Sequence, residues 1–278
     1  MKVAVASVVF IEAFAYFNDF MESLQKQTLQ MFDVLLINDN IPIDLLKGKL
    51  ERESWIRQER VHIVDKKLHH LLPYELRIEL LSKALEYGID LLILLDCDDK
   101  AKSNRVAEIV HQYDEKYAFF YNDILGFDDR KVMPRMPLVT DKIDYILESN
   151  YLGLSNSAIN MRHMTKDFIA SLMEGNTQIF DWYLFSRMLL DNMSGIRVSN
   201  TCTYYRIYHA NIAGVARPTE KLIEQEKTVK LAHYQLMRKY DKRYEKLMGK
   251  YENLNCTQID HKSDNKLYFW WGILSEGE

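Results

Sequence analysis

Cysteine, proline and glycine are all scarce in this chain: three, five and ten among 278 residues. The cysteines, Cys97, Cys202 and Cys256, are scattered and odd in number. They argue against a disulfide framework and for a reducing compartment. So little glycine and proline excludes fibrous and linker-dominated chains. No apolar run approaches the roughly 18 residues that a bilayer-spanning helix requires. Charge of neither sign dominates: 36 Lys and Arg face 40 Asp and Glu, for a net charge of −4. That balance excludes a histone-like polycation and gives no reason to expect a nucleic-acid partner. The opening Met1–Ser7 is apolar but runs straight into Phe10, Glu12 and Asp19 without a small-residue cleavage site, so it reads as a strand rather than a leader.

What is present is a globular composition with material for a core. Hydrophobic residues make up 47 % and charged ones 27 %, at a length that suits one large or two modest domains. The first hundred residues alternate short apolar runs with helical patterns. Val3–Phe10, Phe32–Ile37, Val61–Val64 and Leu91–Leu95 read as strands. Between the first two, Phe17, Phe20, Met21 and Leu24 sit at helical spacing. Pro73 suits a first helical turn and Glu75 its positive end; Leu81, Ala84 and Leu85 give an apolar face, and Gly88 fits just past the last turn. The unbroken Leu91–Leu95 suits a strand buried on both faces, as in a parallel sheet. The half reads βαβαβαβ, an α/β chain with an open, mostly parallel sheet flanked by helices. In such sheets ligands sit beyond the carboxyl ends of the strands. There the second run ends in Asp39 and the fourth in Asp96-Cys97-Asp98-Asp99.

Asp96-x-Asp98 is the most informative short pattern. Alternate residues of an extended segment point the same way, so the two carboxylates can converge on one hard cation. Mg²⁺ or Mn²⁺ held in this manner also binds substrate phosphates. The plainer alternative is a polar turn that caps the next helix. Cys97 has no second Cys or His at zinc-ligand spacing.

The order of these features resembles the GT-A glycosyltransferases of family 2, mostly inverting enzymes that use nucleotide-diphosphate sugars. Ser7–Phe10 with Tyr16–Thr28 is close to the family's first strand and helix. Val34–Asp39 is similar to its Val-Asp-Asp-Gly strand end, and Arg77 with Ala84 to its Arg-Asn helix. Leu94–Asp99 matches Leu-Asp-x-Asp-Asp, and Phe180-Asp181-Trp182 is placed like Glu-Asp-Trp. Tyr205-Arg206-x-x-His209-x-Asn211 is a looser match. The likeness covers about residues 3–214. It implies a GT-A fold and Asp181 as catalytic base. It places Phe10, Glu12, Asp39, Arg77, Asp96 and His209 against the nucleotide-sugar. Asp98 becomes the metal ligand, with Asp96 and His209 at the metal or at the ribose and phosphates. The implied cofactor is Mn²⁺ or Mg²⁺, and the implied donor a nucleotide-diphospho-sugar, a UDP-sugar first. The acceptor is carbohydrate or lipid-linked. The chain departs from the pattern at Ile11–Ala15, about two residues shorter than the family's loop, at Ile78 after Arg77, and at Phe180 before Asp181. Asn40, where the family has glycine, tolerates a left-handed backbone.

On this reading residues 1–215 form the glycosyltransferase domain, 1–125 holding the nucleotide-sugar and 126–215 the acceptor, and 216–278 form a helical extension. Pro218–Lys250 reads as one helical stretch with Leu222, Val229, Leu236, Tyr240, Tyr244 and Leu247 on a stripe. Between Arg217 and Lys250 ten Lys/Arg face five Asp/Glu. That surplus suits either a solvated helix face or peripheral contact with the inner face of a membrane. Trp270-Trp271 suits packing onto the domain or a homodimer contact. His69-His70 reads as two surface histidines. The expected setting is cytoplasmic, and the expected pathway surface polysaccharide synthesis. Two alternatives stand beside a transferase. One is a nucleotidyltransferase, against which Ile11–Tyr16 contains no glycine. The other is a non-catalytic nucleotide-sugar-binding scaffold, suggested by the altered loop.

Overall fold

A computed structural model describes residues 1–65, 71–132, 136–206 and 220–253. His69-His70, His209, Asn211 and Trp270-Trp271 lie outside the described residues. Four strands, β1 (Val3–Phe10), β2 (Asp33–Asp39), β3 (Val61–Asp65) and β4 (Leu91–Leu94), run parallel in the order β3-β2-β1-β4. The helices α1 (Phe17–Gln25), α2 (Ile43–Leu50) and α3 (Pro73–Glu86) connect them. Both faces of the central strands are covered, which is why β1, β2 and β4 are mostly apolar. Along β1, Ala4, Ala6 and Val8 enter one hydrophobic cluster while Val3, Val5 and Val9 enter the other. The α3 helix lies over the first cluster, α1 and α2 over the second. Gly88, beyond α3, has φ +66°, the left-handed backbone that a helix end favours.

The remaining strands are β5 (Lys100–Ala101), β6 (Phe119–Gly126), β7 (Val139–Thr140), β8 (Ser157–Asn160) and β9 (Gly195–Tyr205). They extend the sheet past β4 in the order β8-β6-β9-β5, and β7 also pairs with β9. The segment Asn150–Met161, small and polar in sequence, contains β8, an antiparallel strand between β4 and β6. All four of its residues are buried. Its polar side chains are satisfied: Ser157 Oγ donates to Gly153 O at 2.6 Å, and Asn160 Nδ2 donates to Tyr117 O at 3.1 Å. These side-chain hydrogen bonds anchor the polar positions of a central strand.

Three further helices complete the body: α4 (Arg105–His111), α5 (Lys166–Ser171) and α6 (Phe180–Leu190). The C-terminal stretch is two helices, not one: α7 (Glu220–Met237) and α8 (Arg243–Glu252). The break falls at Asp241, whose carboxylate accepts the Arg243 backbone N–H at 2.8 Å and the Arg243 guanidinium as well. A carboxylate that takes the first N–H groups starts a new helix. The stripe faces inward at its described members; the Leu222 side chain lies outside the description. Val229, Tyr244 and Leu247 are buried, and Leu236 and Tyr240 pack against the same cluster.

Candidate active site

The carboxyl ends of β1, β2 and β4 lie along one edge of the sheet, and the site is built there. Phe10 pairs with Asp39 across β1 and β2. A tight turn follows Asp39. Asn38, fully buried, donates its amide to Ile41 O at 2.8 Å and accepts the Ile41 N–H at 3.2 Å. Asn40 at its corner has φ 62°. The Asp39 carboxyl is held above its ordinary range, by burial first, with the Asn40 amide opposing and the charge of Glu12 adding. Phe10, Glu12 and Asp39 therefore occupy one corner.

The acidic loop after β4 is the second part. Asp96 accepts Arg77 Nη1, from α3, at 2.9 Å. The backbone N–H of Asp96 donates to Ser155 Oγ at 3.1 Å, and the Ser155 hydroxyl donates to Asp99. Asp99 also accepts the Arg206 backbone N–H at 2.9 Å. It is 1 % exposed, and burial pushes its carboxyl well above the usual range, with the charges of Asp98 and Asp96 adding. With its oxygens taken up by the Ser155 hydroxyl and the Arg206 N–H, it serves the shape of the loop. The Cys97 thiol, buried beside the Phe10 backbone, is pushed up by burial and stays a thiol.

Asp181 supplies the third part from the first turn of α6. Its carboxyl is raised to about 6. Burial is the main cause; the Trp182 N–H and the Arg77 guanidinium oppose it, and Asp96 adds to it. Trp182 N donates to Asp181 Oδ1 at 2.7 Å. Burial disfavours the Arg77 cation, but the charge and hydrogen bond of Asp96 outweigh it, Asp181 contributes, and Arg77 ends above its usual range. Arg77, Asp96 and Asp181 are thus one electrostatic unit. Gly153 backs it: a Cβ there would stand 3.9 Å from Asp181 Oδ2.

Two arginines take parts here that the sequence reading did not assign: Arg206, quoted only within the looser match, and Arg105, not singled out at all. Arg206 lies with its guanidinium 4.2 Å from the Tyr16 ring centre and 4.4 Å from that of Phe127. It donates to Asp19 and, through Nε, to the Asp98 carbonyl at 2.8 Å. Arg105, 0 % exposed, donates to Asn122 Oδ1 at 2.8 Å, Leu94 O at 3.0 Å and Ser157 O at 3.3 Å. Burial lowers Arg105 to about 10, with the charge of Asp99 opposing. For Arg105 the sequence offered one hint, the cluster of small polar residues before β8.

Among the described residues no three His, Cys, Asp or Glu side chains form a cation cage. Asp96 and Asp98 offer two hard carboxylate donors in one short loop. Such a set fits Mg²⁺ or Mn²⁺ that completes its shell with water and phosphate oxygens.

No family model matches the sequence, and no curated protein is significantly similar to it. Solved structures do match. S. aureus TarS 1–349 in complex with UDP superposes with a TM-score of 0.55 at 14 % identity, over 91 % of this chain and 71 % of that one. The mannosyltransferase PcManGT from Pyrobaculum calidifontis, with GDP-Man and Mn²⁺, matches with a TM-score of 0.53 at 10 % identity, over 90 % of this chain and 68 % of that one. GalNAc-T7 with UDP, GalNAc and Mn²⁺ matches with a TM-score of 0.57 at 11 % identity, over 94 % and 52 %. The chain has the GT-A fold. At such identities the likeness speaks for the fold, and the ligands belong to those proteins. Within the GT-A fold of this chain, the corner at Asp39, the acidic loop and Asp181 all lie along the strand ends where an open α/β sheet takes ligands. Among the described residues no helix is long and apolar enough to cross a membrane.

Proposed function

We propose that this chain transfers a sugar from a nucleotide-diphospho-sugar to an acceptor hydroxyl with inversion, using Asp181 as base. One observation carries the reading: the strand ends of a GT-A fold bring Arg77 and Asp96 together with a carboxylate whose pKa is raised to about 6. A base works best when its pKa lies near the working pH, and Asp181 is poised there. The acceptor hydroxyl gives its proton to Asp181 while its oxygen attacks the anomeric carbon. The bond from that carbon to the diphosphate oxygen breaks on the opposite face, and the configuration inverts. Asp39 receives the base of the nucleotide, with Phe10 and Glu12 beside it. Arg77 holds the Asp96 carboxylate in place and keeps positive charge close to Asp181. Asp96 and Asp98 would hold a divalent cation, which supplies positive charge beside the departing diphosphate. His209, outside the described residues, is proposed to join them.

The ligands of the structural neighbours favour UDP and GDP sugars as first donors to test. A carbohydrate or lipid-linked acceptor, a role in surface polysaccharide synthesis, a cytoplasmic setting and a homodimer belong to the same proposal, as does division into a 1–215 domain and a 216–278 extension. Membrane contact through the C-terminal helices would not draw on Lys239, Arg243 and Lys250, which already pair with Glu174, Asp144 and Glu148 of the body.

The test is thermal shift with UDP, GDP and CDP, each with and without Mn²⁺, followed by turnover of the stabilising sugar nucleotide. Metal-dependent stabilisation and turnover are expected, with turnover falling in acid as Asp181 protonates around pH 6. Asp181→Asn should keep nucleotide binding and lose about 10²–10⁴-fold in rate. Stabilisation without any turnover favours the scaffold. Undiminished turnover in the variant overturns the base assignment.

A further inference from the structure

The C-terminal hairpin closes a box of rings behind α6, and one member of that box bears on the site. His233 of α7 is fully buried, and among the described residues neither ring nitrogen has a hydrogen-bond partner. Its ring lies flat on Trp182, with centroids 4.2 Å apart and planes 18° from parallel. Tyr234 of α7 and Tyr244 of α8 meet it edge-on, at 6.0 and 5.7 Å. Burial first, and the charge of Lys230 one turn back on α7 second, keep the imidazole neutral, lowering it to about 3. Two flat neutral rings stacked in an apolar box make a rigid contact.

Trp182 carries that rigidity forward. Its indole Nε1 donates to Ile146 O at 2.6 Å, and Tyr234 meets it edge-on at 6.0 Å. The backbone N–H of the same residue donates to Asp181 Oδ1. One carboxylate oxygen is thereby pinned, and the other, Oδ2, lies beside Gly153. If the indole loses its backing ring it can tilt, and the first turn of α6 can shift with it, taking along the Trp182 backbone N–H that holds Asp181. Misplacement of a reacting group by about 1 Å costs on the order of 10²-fold in rate.

We propose that His233 is a positioning residue for Asp181, acting through the indole of Trp182, so that the C-terminal hairpin is part of the catalytic apparatus. The inference rests on the reading of Asp181 as base. It explains why an unpartnered polar ring is kept in a box where an apolar one would cost less desolvation: what the site uses is the planar face.

The experiment compares His233→Ala, which removes the ring, with His233→Phe, which keeps a flat one. His233→Ala is expected to lower kcat by roughly 10- to 100-fold with the donor KM and the UDP-induced thermal shift unchanged. His233→Phe is expected to stay within about threefold of wild type, a rescue that depends on shape and not on the nitrogens. Should His233→Ala fail to fold, His233→Leu, which keeps bulk without planarity, takes its place with the same expectation. Wild-type kcat in the folded Ala or Leu variant overturns the proposal, and so does a Phe variant as slow as Ala. A second readout needs no turnover: the ¹³C resonance of the Asp181 carboxyl, assigned by its loss in Asp181→Asn, should move in His233→Ala and hold in His233→Phe. If Asp181→Asn proves fully active, the base reading fails while this resonance still reports the coupling. If the resonance ignores His233, the coupling fails while the base reading stands.

Discussion

The two halves of the sheet are held together by different means. From β1 to β4 the strands are parallel and mostly apolar, and Leu35, Leu36, Ile37, Leu91 and Leu92 are each 0 % exposed. From β6 to β9 the interior also holds Arg105, Asn122, Asn156, Ser157 and Thr203, buried just as completely. There the strands are tied by side chains: Asn122 Nδ2 donates to Thr203 Oγ1 at 3.0 Å, and Asn156 Nδ2 to Asn122 O at 3.0 Å. Burial of apolar surface is tolerant of small shifts, because it has no direction. A hydrogen-bonded core is not, because each orphaned group costs its full desolvation. The half that must hold an acidic loop in a fixed shape is the half built with directional bonds.

Three changes probe that contrast. The largest effect should come from Arg105→Met, which strips partners from Asn122 Oδ1, Leu94 O and Ser157 O inside the polar half. Each buried orphan costs about 1–3 kcal/mol, so a loss of at least ~3 kcal/mol is expected in urea unfolding. A well-tolerated Arg105→Met would mean that apolar contacts hold both halves alike. Next comes acid. His233 titrates at about 3 when folded, against its ordinary value of 6.5. The folded chain therefore binds fewer protons than the unfolded one between those values, and stability drops as pH falls below about 6.5. The slope from this one group is ~1.4 kcal/mol per pH unit. Asp181 and Asp99, whose carboxyls are raised, act in the opposite sense, so the quantity to measure is the difference between wild type and His233→Phe from pH 7 to 5. A constant difference would show that the ring is not buried neutral. The smallest effect should come from Asn40→Ala in the apolar half. It forces an alanine to φ 62° and removes a weak contact, for a cost of about 1–2 kcal/mol, while Asn40→Gly should be nearly neutral.

The same contrast governs what could be read from the sequence. The apolar half was legible nearly to the residue: Val3–Phe10 is a strand over those bounds, and the helix that Pro73 begins ends just before Gly88. Burial writes itself into an apolar pattern. The polar half was not. Ser157–Asn160 has the composition of a loop, and only its partners on β4 and β6 make it a strand. Arg105 looks like any helix-surface arginine until Leu94 and Asn122 close around it. The split between α7 and α8 was missed because the apolar stripe continues across it, and a single aspartate redirects the chain. Within the site, Asp39, Arg77, Asp96 and Asp181 were found through their order along the chain. Arg206 stood in the looser match at Tyr205–Asn211 with no role attached, whereas Ser155 and His233 reach the site from far away in sequence, and spacing carries no trace of such contacts.

The direction of β8 has a consequence of its own. Because this strand runs against β4, the chain entering it arrives at the edge where β4 leaves. Residues 153–156 thereby meet Asp96–Asp99 head-on, and Gly153 comes up behind Asp181. Had the four residues pointed the other way, that approach would open on the far side of the molecule and the acids would have no floor. A reversal of one short ribbon thus decides which face of the protein can do chemistry. Lengthening or trimming the turn that leads into it should therefore disturb turnover far more than its distance from Asp181 along the chain suggests.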